Sequence, residues 1–115
     1  MPEQKSILDL EEALKRVRGK HSIFKRMLTL FLQSGEFEAF EQALAEQDYA
    51  RAAEVAHAIK GMTGNLSMNA LFESSTELMQ QLHQGPPDPQ LLETYRDALI
   101  KTRAIVDVTM TELED

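Results

Sequence analysis

Four residues at helical spacing, His57, Lys60, Gly61 and Gly64, are the group in this sequence best suited to chemistry. At about 100° per residue they share one side of a helix, roughly 160° from its apolar stripe, so the histidine should be exposed. An exposed imidazole is substantially neutral at physiological pH and can attack phosphorus without a separate base. The Lys60 ammonium, one turn on, would offset the charge of the phosphoryl oxygens. The spacing therefore predicts a phosphate-accepting histidine.

Gly61 and Gly64 are unexpected in an exposed helix interior. Each glycine costs about 1 kcal/mol of stability relative to alanine, so the pair gives up roughly 2 kcal/mol. One explanation is that their missing side chains leave the surface beside His57 clear for the backbone of a docking partner. The alternative is close packing between helices through small residues, which the helical phase disfavours. We therefore expect both glycines to provide clearance for docking.

The elements that must position these residues are helices. Leu, Ala, Glu, Gln and Met dominate the composition, which favours helix over sheet. Ser6 and Asp9 have the spacing of a capping box, and out-of-phase apolar stripes on either side of Gly35 predict a break there. Asp48 is a plausible N-cap of the histidine-bearing helix, and Asp88 of the last helix. We expect leading helices at about 6–46, the histidine-bearing helix at about 48–66, a helix at about 69–83, a Pro/Gly turn at 85–89 and a C-terminal helix at about 90–113.

Amphipathic helices joined by short turns bury their stripes most simply against one another. The chain has 115 residues, which fits one domain over residues 1–115. The predicted fold is all-α, an antiparallel up-and-down four-helix bundle with short accessory N-terminal helices. Because such bundles serve many purposes, the function has to be argued from the site.

The composition excludes several classes of function. The formal net charge of -7 argues against nucleic acid as a partner, because binding a phosphate backbone requires clustered cations. No apolar run approaches the length of a membrane span, and no signal peptide follows Met1, so we expect a cytoplasmic protein without membrane insertion. The absence of cysteine excludes thiol nucleophiles and thiolate metal sites, and it fits a reducing compartment.

The ten residues from His57 to Leu66, His-Ala-Ile-Lys-Gly-Met-Thr-Gly-Asn-Leu, resemble the His-x-Leu-Lys-Gly-x-x-Gly-Asn core of the histidine-phosphotransfer (HPt) family. The resemblance extends from roughly Arg16 to Gln84. It implies that His57 takes a phosphoryl group from a receiver-domain aspartate and passes it to another receiver. The implied partners are response-regulator receiver domains and a sensor histidine kinase of the hybrid type. The domain would be a phosphocarrier without cofactor, kinase or ATP-binding domain, and the receiver would supply Mg²⁺.

Two departures from the family pattern bear on the site. Ser67 stands where many members have glycine, and Met79 stands where a Glu or Gln commonly occurs. In some members that polar side chain helps to hold the imidazole, so the group that orients the ring of His57 is left open. Asn65 is either a residue at the helix C-terminus or a polar contact near the site.

Two other classes of function stay open. A metal-binding bundle needs inward-facing ligands from several helices, whereas the single Glu-x-x-His pair, Glu54 and His57, faces outward, so no metal site is expected. The stronger alternative is a helical interaction or adaptor module that works without phosphate. Such a module would be expected to lose the histidine, which this chain keeps.

Overall fold

The computed structural model describes residues 6–113, none of which lies in a strand. The all-α fold predicted from the sequence is therefore confirmed. The helices are α1 (Leu10–Arg16), α2 (His21–Gln33), α3 (Glu36–Ala45), α4 (Tyr49–Asn65), α5 (Asn69–Leu82) and α6 (Pro89–Glu112). None of these helices is long and apolar enough to cross a membrane.

The helices pack as a bundle in chain order. α3 packs on α4, α4 on α5 and α5 on α6, while α2 packs on α6 and closes the circuit. α2 and α3 form one bent arm, because α2 ends at Gln33 and Gly35 is the N-cap of α3. The break predicted at Gly35 is confirmed, and α1 is an accessory helix that packs on α2. The bundle is the four-helix architecture expected from the apolar stripes.

The two ends of α4 are set by different means. At its start the Asp48 carboxylate accepts a hydrogen bond from the Arg51 backbone N–H at 3.1 Å, which confirms the predicted N-cap. At its end the chain turns at Ser67, whose backbone adopts a left-handed φ of 56°. The turn brings α5 back antiparallel to α4, so residues at similar distances from the turn lie next to each other across the two helices.

The start of α1 differs from the expected capping box. α1 begins at Leu10 with Asp9 as its N-cap, whose carboxylate accepts from the Glu12 N–H at 3.2 Å, whereas Ser6 and Ile7 belong to an earlier helical segment. The prediction of Ser6 as the cap is wrong, because the chain is already helical at Ser6 and the helix that follows is capped at Asp9. Ile7 is 6 % exposed and buried, and the Asp9 N–H donates to the Ser67 carbonyl at 3.0 Å.

Tyr95 of α6 is the largest fully buried side chain in the core. Its ring lies edge-on to Phe40 with the centroids 5.1 Å apart. Its hydroxyl forms no hydrogen bond with any described residue. Burial raises the pKa of Tyr95, and the Glu41 carboxylate raises it further. The hydroxyl therefore weakens the core in which it is buried.

Replacing Tyr95 with phenylalanine should raise the free energy of unfolding by about 1 kcal/mol at neutral pH, because it removes a buried polar group without a partner. Above about pH 10 the unfolded tyrosine ionises while the folded one stays neutral, so the unfolded state binds fewer protons and wild-type stability falls. The variant should lack this contribution to the loss. Urea unfolding of both proteins at neutral and alkaline pH measures each effect. A less stable variant at neutral pH would show that the hydroxyl has a partner in solution.

Candidate functional site

The face of α4 that carries the candidate nucleophile is separate from its core face. The buried residues of this helix include Ala52, Ala56 and Ile59, whereas His57 and Gly61 are exposed and Lys60 is half-buried. This is the arrangement expected from the helical phase. The site is therefore an open surface on a rigid helix, and it has no enclosing cleft.

The imidazole of His57 contacts the side chain of Met79 on α5. The distance from His57 Nδ1 to Met79 Sδ is 3.4 Å, which is within the range of an N–H to sulfur hydrogen bond. A thioether sulfur can accept a hydrogen bond but cannot donate one, so the contact favours the tautomer that is protonated at Nδ1. In that tautomer Nε2 keeps its lone pair and is the nucleophilic nitrogen. Met79, which stands where the family commonly has Glu or Gln, is thus the residue that contacts and can orient the ring of His57.

Lys60 lies one helical turn beyond His57 on the same face. Among the described residues its ammonium forms no ion pair. Its charge is therefore available to an anionic group arriving at the imidazole.

The two glycines differ in their surroundings. A Cβ built on Gly61 meets no atom within 4 Å, so the surface beside His57 is open at this position. A Cβ on Gly64 would lie 3.1 Å from the Phe72 ring of α5. The expectation of open clearance is wrong at Gly64, because the neighbouring helix already fills that space. Packing between helices, the alternative that the helical phase disfavoured, explains this glycine.

Asn65 is the last residue of α4 and is exposed. It lies eight residues after His57, which corresponds to about 12 Å along the helix. The structure therefore supports the first of its two interpretations, a residue at the helix C-terminus, and shows no contact between Asn65 and the imidazole.

A polar network at the end of α4 has no counterpart in any sequence pattern. The Arg16 guanidinium of α1 donates to the Gly64 carbonyl, and the Ser67 hydroxyl donates to Glu12 Oε1 at 2.8 Å. These partners lie 48 and 55 residues apart in the chain. In the sequence, only Ser67, which replaces a common glycine of the family pattern, marks this region, and it does not indicate a partner.

The described part of the chain contains no group of three or more His, Asp and Glu side chains placed to hold a metal ion. Glu54 and His57 are both exposed on α4, where no further ligand joins them. The chemistry available at this surface is thus that of an imidazole nucleophile beside a cation.

Comparison with known protein families identifies the family of the domain. A family model described as Hpt domain matches residues 26–105. The chain belongs to the histidine-phosphotransfer (HPt) family. HPt domains carry phosphoryl groups on histidine in two-component phosphorelays, where they interact with receiver domains and histidine kinases, and they are phosphocarriers and not catalysts. No curated protein and no solved structure matches the chain significantly.

The matched residues include α3, α4 and α5 together with most of α2 and α6. α1 lies before the matched range. The match thus covers the bundle and the helix that carries His57, whereas α1, which contacts the end of that helix, lies outside it.

Proposed function

We propose that this HPt domain is the phosphocarrier of a two-component phosphorelay that accepts a phosphoryl group on His57 from a receiver aspartate and passes it to another receiver. The observation that carries the proposal is the exposed imidazole with its Nδ1 beside Met79 Sδ, which leaves Nε2 free. The open surface at Gly61 supports it, and so does the Lys60 ammonium, which has no ion-pair partner among the described residues. The partners are receiver domains and a hybrid sensor kinase, in the cytoplasm.

In the transfer step, Nε2 attacks the phosphorus of an aspartyl phosphate. The bond from Nε2 to phosphorus forms as the bond from phosphorus to the aspartyl oxygen breaks, and the aspartate leaves as a carboxylate. The ring becomes positively charged when it takes up the phosphoryl group, and its Nδ1–H donates to the sulfur of Met79. The ring loses this charge when the phosphoryl group is transferred to the next receiver. The Lys60 ammonium stabilises the negative charge on the phosphoryl oxygens, both when phosphate is taken up and when it is passed on. The receiver contributes Mg²⁺, and this domain binds no metal of its own.

The proposal is tested by incubating the domain with a receiver that has been phosphorylated by a small-molecule phosphodonor. Phosphate should appear on the domain and vanish from the receiver, and ³¹P NMR should place it on Nε2 of an imidazole. Mass spectrometry of peptides at alkaline pH should locate it at His57. Docking without any phosphate on the domain would contradict the proposal and favour an adaptor that works without phosphate.

Met79 is expected to set the reactive tautomer of His57. Replacement by leucine keeps the volume but removes the sulfur acceptor, and it should slow phosphate uptake by about fivefold, as expected for one weak hydrogen bond. Replacement by glutamine supplies a stronger acceptor and should keep or raise the rate. The ¹⁵N chemical shifts of the imidazole report the tautomer independently of transfer. A leucine variant with the wild-type rate and shifts would show that Met79 does not orient the ring.

Lys60→Ala is expected to slow transfer by about tenfold, because the phosphoryl oxygens lose a preorganised cation. Stability should change by less than about 0.5 kcal/mol, since Lys60 has no partner among the described residues. Transfer reactions quenched at successive times measure the rate, and thermal unfolding measures the stability. Arg51→Ala, which removes an exposed cation from another side of α4, is the control and should keep the wild-type rate. Equal rates for both variants would exclude a role for Lys60.

A further inference from the structure

α1 precedes the part of the chain that the family match covers, yet it is bound to the helix that carries the nucleophile. The guanidinium of Arg16 donates through Nη1 to the carbonyl of Gly64 in the last turn of α4. Through Nη2 the same group pairs with Glu12 at 3.2 Å. A cation at the C-terminal end of a helix is favoured by the helix dipole, and the Gly64 carbonyl accepts from Arg16 in addition to the Ser67 N–H. Arg16 therefore holds a defined place at the end of α4.

The other half of this contact is Ser67. Its left-handed backbone would suit glycine better, and its side chain is 1 % exposed. The hydroxyl donates to Glu12 Oε1 at 2.8 Å, and the carbonyl accepts from the Asp9 N–H at 3.0 Å. These bonds offset the strained backbone and tie the N-terminal part of α1 to the turn after α4. α1 is thus fixed relative to the nucleophile's helix.

The place where Arg16 is held is on the same side of α4 as the nucleophile. Gly64 follows His57 by seven residues, which is about 10 Å along the helix axis and within about 20° around it. A standard protein interface covers about 800 Å² on each partner, equivalent to a disc of about 16 Å radius. A receiver centred on the imidazole therefore covers the end of α4 and the guanidinium bound there.

Arg16 also has donors to offer a partner. A guanidinium has five N–H groups, and the described residues accept hydrogen bonds from two of its nitrogens. The side chain remains 46 % exposed, and Glu12 beside it is 50 % exposed. The two bonds restrict the rotamers of Arg16 in advance, which lowers the entropy lost when a partner binds.

We propose that α1 is part of the receiver-docking surface, and that Arg16 binds a carboxylate at the rim of the receiver's phosphorylation site. The inference rests on the proposed phosphotransfer function and extends it to a specificity-determining residue outside the range that the family model matches. Receiver sites that bind Mg²⁺ are built from carboxylates, so an acidic rim is the chemistry such a guanidinium would meet. Glu12 carries the opposite charge at the same place and should oppose the same contact.

The test uses the full chain and a phosphorylated receiver, and it measures the rate of transfer against receiver concentration. Arg16→Ala should raise the receiver concentration needed for half-maximal rate by about fivefold and leave the maximal rate unchanged, because the residue does not touch the phosphoryl group. Glu12→Gln keeps an oxygen for Ser67 and Arg16 but removes the negative charge, so it should lower that concentration. Both effects should shrink at high salt.

Lys15→Ala is the matched control, because it removes the same charge from the neighbouring residue. Lys15 is 77 % exposed and pairs only with Glu11 among the described residues, at 3.9 Å, so this variant should behave as wild type. If Arg16 only fastens α1 to α4, both Arg16→Ala and Glu12→Gln will weaken transfer together with thermal stability, which would overturn the inference. Equal half-maximal concentrations for wild type and Arg16→Ala would overturn it as well. Failure of wild type to take up any phosphate would instead refute the proposed function.

Discussion

His57→Gln is expected to abolish phosphate uptake from a phosphorylated receiver. The substitution removes the lone pair of Nε2, on which the attack on phosphorus depends. His57 is exposed, so the fold should stay intact and the free energy of unfolding should change by less than about 0.5 kcal/mol. Receiver and variant are mixed, separated by electrophoresis under alkaline conditions and stained for phosphoprotein.

The chain provides a control for this experiment in His83, an exposed residue at the C-cap of α5. His83→Gln should take up phosphate at the wild-type rate. If His57→Gln were labelled as strongly as wild type, another residue would carry the phosphate and the proposed site would be wrong. If the variant and wild type both bound the receiver and neither was labelled, the domain would act as an adaptor.

Gly61→Trp should reduce transfer by at least about a hundredfold through loss of docking. A Cβ at this position meets no atom within 4 Å, so a large side chain is accommodated without disturbing the bundle. It would then project beside the imidazole, where a partner's backbone has to approach, and a bulky group at the centre of an interface blocks close contact. Removal of a glycine from a helix interior should also stabilise the isolated domain by up to about 1 kcal/mol. Binding is measured by calorimetry and stability by thermal unfolding.

Two further variants separate docking from general effects of bulk. Ala104→Trp places the same side chain on an exposed position of α6 and should leave transfer unchanged. Removal of Gly61 should stabilise the isolated domain. Gly64→Ala should not, because its Cβ would lie 3.1 Å from the ring of Phe72. Normal docking by Gly61→Trp would show that partners do not need the open surface at this position.

The sequence by itself determined which residue is the candidate nucleophile and which way it faces. The phase of α4 follows from backbone hydrogen bonds between residues four apart and from apolar residues at the same period, and both are local properties. The cap at Asp48 and the break at Gly35 also depend on neighbouring residues only, and the structure has both. The exposure of His57 and the open space at Gly61 could therefore be inferred without tertiary structure.

Only the tertiary structure decided what surrounds that nucleophile. Met79 meets the imidazole from 22 residues away, Phe72 fills the space at Gly64, and Arg16 binds the end of α4 from 48 residues away. Such contacts depend on the register of one helix against another, and this register is set by the packing of many core side chains at once. A periodic pattern shows that α1 and α5 each have a buried face, but it does not show which residue of α4 that face will meet.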